Sequence, residues 1–269
     1  APIGVSWIFN PFPDISKYLI QKELAFNGVV IPDTRIQKGV NCNLIEFPLL
    51  HALFSQGMIF KGVKPGVVGT REQLDAVSVN FQRSLYGYLN VEEMEGCGLS
   101  DLEQQQLMKE LEGLSFNGIC DTSMLLELIE LPSLKDPKKR DILVDYHGLK
   151  IRKKDINIFE FSWKDEVLLV DTNLKENEEY RPPLKIDVKN IPLAHFQVID
   201  TGEEDGFAPK SCMHTLVQWS DRIICIDLPM NVTYLLEKIS ISPHEVDAVI
   251  LTHCHDDHIG EISLLMQMD

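Results

Sequence analysis

The sequence lacks any apolar run long enough to cross a bilayer, and it is poor in positive charge. No apolar stretch reaches the roughly 18 residues that a membrane-spanning helix needs, so we predict a protein without a membrane partner. Lys and Arg number 25 against 41 Asp and Glu, which leaves a formal net charge of −16. This excess of negative charge disfavours nucleic acid as a partner, because DNA and RNA are bound mainly through Lys and Arg.

The chain also lacks a paired-cysteine motif and a secretory leader. Its six cysteines include no C-x-x-C pair, and scattered thiols are typical of proteins from a reducing compartment. The first residues, APIGVSWIFNPF, do not show the basic and then apolar pattern of a signal peptide. These features predict a cytoplasmic protein. The missing initiator Met predicts either its removal or a piece of a longer chain.

What is present is the composition of a folded α/β protein. Hydrophobic residues make up 44% and charged residues 25% of the chain, as in ordinary globular domains. The patterns predict a mixed α/β N-terminal region at 1–172, a polar, proline-containing linker at 173–184, and a C-terminal region at 185–269. Residues 191–269 hold 13 acidic and 3 basic side chains, a balance that suits a cation.

Helical spacing and capping residues predict six helical segments. Two of them open with a capping box, Thr70 with Gln73 and Ser100 with Glu103. The predicted segments are 15–26 with a stop at Asn27-Gly28, part of 43–55 with a break at Pro48, Thr70 to about Tyr88, Ser100 to about Leu114, 122–131, and 231–239.

Short alternating or apolar runs predict the strands. They are 29–32, runs within 58–69, a meander over 141–172 with turns at His147-Gly148 and Lys164-Asp165, and strands at about 195–200, 214–219, 222–228 and 246–252. The segment VDAVILT at 246–252 is nearly all apolar, which predicts a strand buried on both faces.

Four candidate metal ligands follow that strand within six residues: His253, His255, Asp257 and His258. An extended backbone points the first two to one side, and the last two come after the chain turns. Imidazole and carboxylate suit Zn, with Fe or Mn as alternatives. Two ligand pairs suit two divalent ions that share a bridging water. The competing interpretation is a polar turn that is rich in His and Asp by chance.

The stretch THCHDDHIGE resembles the H-x-H-x-D-H signature of the metallo-β-lactamase fold, and IICIDLPMN with Asp227 resembles the aspartate-bearing strand before it. The resemblance covers about 195–265. It implies an αβ/βα sandwich, of which this chain holds a part, with the metals at one edge. It implies His253 and His255 as ligands of one ion, and Asp257 and His258 as ligands of the other. Asp257 would also hold the catalytic water, and Asp227 would orient a ligand or a loop, unless it is only a strand-end carboxylate.

The chain departs from the family pattern after the motif. The family supplies a further His, a bridging Asp and a last His from downstream segments, whereas this chain stops at Asp269, eleven residues after His258. Three explanations stay open: a fragment of a longer protein, completion by a second chain, or a degenerate site. A partial sandwich leaves a sheet face or edge uncovered, which predicts association, for example into a homo-oligomer.

Three functions are compatible with these residues. The first hypothesis is a metal-dependent hydrolase that uses a metal-bound hydroxide on a phosphodiester or similar ester of a small molecule. The second is a di-iron oxygen- or NO-binding or redox module on the same fold, which the intact histidines disfavour. The third is a non-catalytic interaction protein with a vestigial site. A weaker candidate is a phosphate contact at the Gly66–Thr70 turn, where ordinary turn chemistry is the alternative.

Overall fold

The protein has a mixed α/β structure, which confirms the predicted fold class. A computed structural model describes residues 6–11, 17–19, 21–38, 40–88, 90–114, 121–134, 142–177, 182, 184–185, 195–203, 210–262 and 266. The strands are β1 Trp7–Phe9, β2 Gly28–Val30, β3 Ile36–Gln37, β4 Val40–Asn41, β5 Gly66–Gly69, β6 Glu127–Glu130, β7 Val144–Tyr146, β8 Leu149–Asp155, β9 Ile158–Trp163, β10 Glu166–Asp171, β11 Phe196–Thr201, β12 Thr215–Trp219, β13 Arg222–Ile226 and β14 Val246–Ile250. The α-helices are α1 Glu46–Leu50, α2 Arg71–Tyr86, α3 Asp101–Leu114, α4 Val232–Lys238 and α5 Asp256–Ile259.

The N-terminal region is built in layers around a parallel sheet of order β1-β2-β5-β6. Helices cover one face, where Val29 and Val67 pack with Leu49 and Phe81 in a buried cluster. The antiparallel meander β7 to β10 covers the other face, where Val68 packs with residues such as Phe159. Burial on both faces explains why these central strands are apolar.

The C-terminal region forms a second sheet, of order β11-β12-β13-β14, in which the last pair is parallel. Helix α4 connects β13 to β14 and packs on the sheet through Leu236, which is fully buried with Leu216 and Cys225. Because β13 and β14 are parallel neighbours, their carboxyl ends meet at one edge of the sheet. Asp227 follows one strand there, and the candidate ligands follow the other.

Several predicted elements are confirmed with small changes in their bounds. Both capping boxes are formed, by Thr70 with Gln73 at α2 and by Ser100 with Glu103 at α3. Helix α1 contains Pro48, which we predicted to be a break. It lies in the first turn, where a backbone N–H has no intrahelical acceptor, so proline is tolerated.

The first predicted helix ends earlier than its pattern indicates. Residues 17–19 and 21 are helical, and Glu23 then takes a left-handed φ of 54°. Gly28, predicted as part of a helix stop, begins strand β2 instead. Residues 15, 16 and 20 of this segment lie outside the described part of the chain.

The prediction of a helix over 122–131 is wrong. Thr122–Met124 form a single 3-10 turn, and Glu127–Glu130 form strand β6, paired in parallel with β5. A short apolar run fits a helix or a buried strand equally well when only its sequence is known. Pairing with β5 selects the strand here, because β6 then adds its backbone hydrogen bonds to the edge of the N-terminal sheet.

The prediction that 246–252 is buried on both faces is also wrong. Strand β14 pairs with β13, and in the described part of the chain no further strand pairs with its other edge. Val249 is 39% and Ile250 is 52% exposed. Exposed apolar side chains also occur on β10 and β11, at Val167, Leu168, Leu169, Phe196 and Val198. Association through these strands stays a prediction.

The predicted linker is described only in part. Residues 178–181 and 183 lie outside the described residues, whereas Leu174 N–H donates to Gln37 Oε1 over 2.9 Å. The division into regions at 173–184 therefore stays a prediction. Within the described ranges, no helix is both long and apolar enough to cross a membrane.

The cysteines should differ sharply in their reactivity. Cys97 and Cys254 are exposed, whereas Cys225 is fully buried, and burial raises the pKa of the Cys225 thiol to about 12. Since the thiolate is the reacting species, iodoacetamide at mildly alkaline pH is expected to label Cys97 and Cys254 rapidly and Cys225 only after denaturation. Peptide mass spectrometry measures this. Labelling of Cys225 in the folded protein at the rate of Cys254 would contradict the fold.

Candidate metal centre

The three motif histidines lie together at the edge of the C-terminal sheet. The ring centroids of His253 and His258 are 4.0 Å apart, and those of His253 and His255 are 4.6 Å apart. Strand β14 ends at Ile250, residues 253–255 belong to no helix or strand, His255 is extended, and α5 begins at Asp256. The structure therefore brings together the imidazoles that the sequence places within six residues.

Asp257 lies beside this cluster, on the first turn of α5. Its Oδ1 is 3.9 Å from His258 Nε2, and its Oδ2 is 3.6 Å from the Lys17 ammonium. The side chains of Asp257 and His258 are 14% and 16% exposed, whereas that of His255 is 43% exposed. All four predicted ligands therefore lie near one another, and His253 and His255 are the more accessible of them.

Asp227 is the buried anchor of this loop. Its carboxylate accepts hydrogen bonds from Thr252 N–H at 2.8 Å and from the Thr252 hydroxyl, and it lies 2.9 Å from His258 Nδ1. Burial alone would raise the pKa of Asp227, but the hydrogen bonds from Thr252 and His258 outweigh it and lower the pKa. The carboxylate is thus ionised at neutral pH and holds both ends of the motif.

In each of two imidazoles, those of His253 and His258, these contacts leave one ring nitrogen available to a metal ion. With the proton on Nδ1, His258 donates to Asp227 and leaves Nε2 unprotonated. Likewise, His253 Nδ1 lies 3.1 Å from Thr252 Oγ1, whose own hydroxyl donates to Asp227. A hydrogen bond that fixes the tautomer and leaves the other nitrogen as donor is the arrangement found around metal-binding histidines.

The electrostatics of the cluster favour the neutral imidazole of His253. Burial lowers the pKa of His253, and the neighbouring His258 and His255 lower it further. A neutral ring is the form that ligates a metal. Within the described ranges, however, no three His, Cys, Asp or Glu side chains are arranged to hold one ion. The donor types, imidazole and carboxylate, are those that Zn, Fe and Mn accept, and a closed site would need further ligands.

Asp256 has a different role from its neighbours. It is 7% exposed, and burial raises its pKa well above the ordinary value, with the carboxylates of Glu46 and Asp257 adding to the effect. Its carboxylate accepts hydrogen bonds from the backbone N–H groups of Glu46 and Phe47 in α1. A sequence pattern does not distinguish it from Asp257, since both are aspartates within the motif.

Two residues of the N-terminal region border the cluster without any sequence signal. Glu46 Oε1 lies 3.8 Å from His255 Nε2, and Lys17 pairs with Asp257. Both are more than 200 residues from their partners, so periodicity and motif spacing carry no information about these contacts. Thr252, in contrast, is adjacent to the motif and could have been found as a polar residue at the strand end.

The Gly66–Thr70 turn shows ordinary turn chemistry. Thr70 and Gln73 bond each other's backbone at the start of α2, so the first donors of that helix are occupied. A Cβ at Gly66 would lie 2.6 Å from the Trp7 ring. Close packing therefore accounts for this glycine, and a phosphate contact there gains no support.

Comparison with protein families finds a match in the C-terminal region. Residues 196–268 match the sequence model of a family described as the anti-Pycsar protein Apyc1. An 88-residue stretch is 31% identical to the cGMP-dependent 3',5'-cGMP phosphodiesterase A of Dictyostelium discoideum, and it covers 32% of this chain and 9% of that protein. No solved structure matches significantly. The family match includes both Asp227 and the motif at 253–258.

Proposed function

We propose that this chain carries part of the active site of a metal-dependent hydrolase with a metallo-β-lactamase-type fold, acting on a cyclic nucleotide phosphodiester. The observation that carries the proposal is the cluster of His253, His255 and His258. Asp227 orients two of these rings, His258 by a direct hydrogen bond and His253 through the Thr252 hydroxyl. The similarity to a cyclic GMP phosphodiesterase supports the choice of substrate. A small anionic substrate also agrees with a chain too acidic to favour bulk nucleic acid.

The residues have separable tasks in this proposal. Bound divalent ions, Zn in the first instance with Fe or Mn as alternatives, would supply an activated water and would stabilise the charge that develops on the phosphoryl group. His253 and His255 would hold one ion, and Asp257 and His258 the other. Asp257, with an oxygen facing the cluster, would also accept a hydrogen bond from the attacking water. Asp227 would keep Nε2 of His258 aimed at its ion.

The direct test is the hydrolysis of 3',5'-cyclic GMP by the protein at its full natural length. We expect conversion to 5'-GMP, measured by chromatography, that stops on addition of a chelator and returns with Zn or Mn. His255→Ala should abolish the conversion, whereas His195→Ala, which removes an imidazole hydrogen-bonded to Ser220, should leave it unchanged. Absence of turnover on any cyclic nucleotide, or full turnover by His255→Ala, would overturn the proposal.

A further inference from the structure

The short helix of the motif and helix α1 of the N-terminal region cap each other. Asp256 is the first residue of α5, and its carboxylate accepts from Glu46 N–H at 2.8 Å and from Phe47 N–H at 3.1 Å. These are the first two backbone donors of α1, which have no partner within that helix. Asp256, inside the motif, thus bonds a helix that lies about 210 residues earlier in the chain.

The contact is reciprocal. Glu46 is the first residue of α1, and its Oε2 accepts from Asp256 N–H at 3.1 Å, the first donor of α5. Its other carboxylate oxygen accepts a hydrogen bond from the Ser84 hydroxyl of α2. That same oxygen lies 3.8 Å from His255 Nε2. Glu46 is therefore held in place from α2 while it faces both the motif backbone and one candidate ligand.

Two further contacts join the same surfaces. The Lys17 ammonium, on a side chain only 3% exposed, lies 3.6 Å from Asp257 Oδ2. Asn41 Nδ2 donates to Gly260 O over 3.1 Å, directly after α5. A Cβ on Gly260 would lie 2.9 Å from Met230 N and 3.0 Å from Leu44, so the backbone here is closely packed against both regions.

We propose that Glu46 and Asp256 are positioning residues of the metal centre, through which the N-terminal region fixes the loop that carries the ligands. The inference rests on the proposed metal centre and assigns the N-terminal region a part in it. Asp256 lies between His255 and Asp257 in the chain, so anchoring its side chain and its N–H fixes the backbone of both neighbours. The Glu46 carboxylate adds a negative charge about 4 Å from a donor nitrogen, which attracts a cation.

Zinc affinity of the chain, measured by competition with a chromophoric chelator, tests this inference. Asp256→Ala removes the acceptor for two donors and is expected to weaken the affinity about tenfold or more, as is usual for groups that hold metal ligands in place. Glu46→Gln keeps the size of the side chain and removes its charge, and is expected to weaken the affinity about threefold or more. The visible spectrum of the cobalt(II) form should change in both variants, because the ligand geometry is altered.

The matched control is Asp33→Asn. Asp33 pairs with the buried Lys153 and accepts from Asn157 N–H at 2.8 Å within the N-terminal region. The substitution Asp33→Asn should lower the stability of the protein without changing its zinc affinity or the spectrum of its cobalt form. If Asp256→Ala fails to fold by circular dichroism, the isosteric Glu46→Gln alone decides.

The outcomes separate the two proposals. If the unaltered chain binds no zinc, the proposed metal centre fails, and this inference fails with it. If the unaltered chain binds zinc and folded variants at Glu46 and Asp256 bind it with the same affinity and spectrum, the positioning role is overturned while the metal centre stands. An equal loss of zinc affinity in Asp33→Asn would show a general effect of stability and would also overturn the positioning role.

Discussion

Replacing His258 by glutamine is expected to lower cyclic nucleotide hydrolysis at least about a thousandfold, equivalent to roughly 4 kcal/mol of transition-state stabilisation. His258 is the point at which the contacts of the site converge. Its Nδ1 bonds Asp227, its ring lies 4.0 Å from that of His253, and its Nε2 is 3.9 Å from Asp257. Glutamine removes the ligand nitrogen and leaves the buried Asp227 carboxylate without one of its donors, so metal affinity and turnover should fall together.

His244→Gln is the matched control for this change. His244 is exposed on the turn before β14, and its backbone N–H, not its ring, bonds Ser242. The same substitution there should leave the turnover and the metal affinity within about twofold of the unaltered protein, as for most surface changes. If His258→Gln retained a tenth or more of the steady-state rate with cyclic GMP, the placement of His258 at the reacting centre would be wrong.

Gly28→Ala is expected to destabilise the protein by about 3 kcal/mol or more. Gly28 pairs with Trp7 on one side and Gly66 on the other, in the middle of the parallel sheet. A Cβ there would lie 2.2 Å from Gly66 O and 2.6 Å from the Trp7 ring. The carbonyl oxygen belongs to the backbone, so no side-chain rotation relieves the overlap, and the strands must separate. Urea unfolding followed by tryptophan fluorescence measures the loss.

Gly113→Ala provides the comparison. Gly113 lies within helix α3, and a Cβ there meets nothing within 4 Å. Alanine should leave the stability unchanged or raise it by up to about 1 kcal/mol, because glycine is the weaker helix former. An equal and small effect of the two substitutions would show that β1, β2 and β5 are not paired in the described register.

The sequence predicts the C-terminal region most completely, because its signals are local. Strands β12 and β13 are joined by a turn at 220–221, and helix α4 follows β13 after five residues. The capping boxes at Thr70 and Ser100 likewise need only a four-residue pattern. Such features depend on neighbouring residues alone, and the fold satisfies them where the sequence places them.

Long-range pairing explains what the sequence does not predict. Strand β6 has an apolar run that also suits a helix, and only its partner β5 selects the strand. Strand β14 has the composition of a doubly buried strand, yet its exposure depends on what lies beside it in space.

The candidate site divides in the same way. The proximity of His253, His255 and His258 follows from their spacing after a strand. The contacts of Glu46 with the motif follow from how two regions pack, and no spacing in the chain encodes them. Asp227 is intermediate, since parallel pairing of β13 and β14 brings it to the motif.

Anomalous diffraction at the zinc edge, from crystals of this protein grown with zinc, tests the metal centre most directly. We predict two peaks at the edge of the C-terminal sheet, one about 2.0–2.1 Å from nitrogens of His253 and His255, the other at the same distance from His258 with an oxygen of Asp257 within about 2.2 Å. Peaks confined to other parts of the molecule, or none within reach of these side chains, would contradict it.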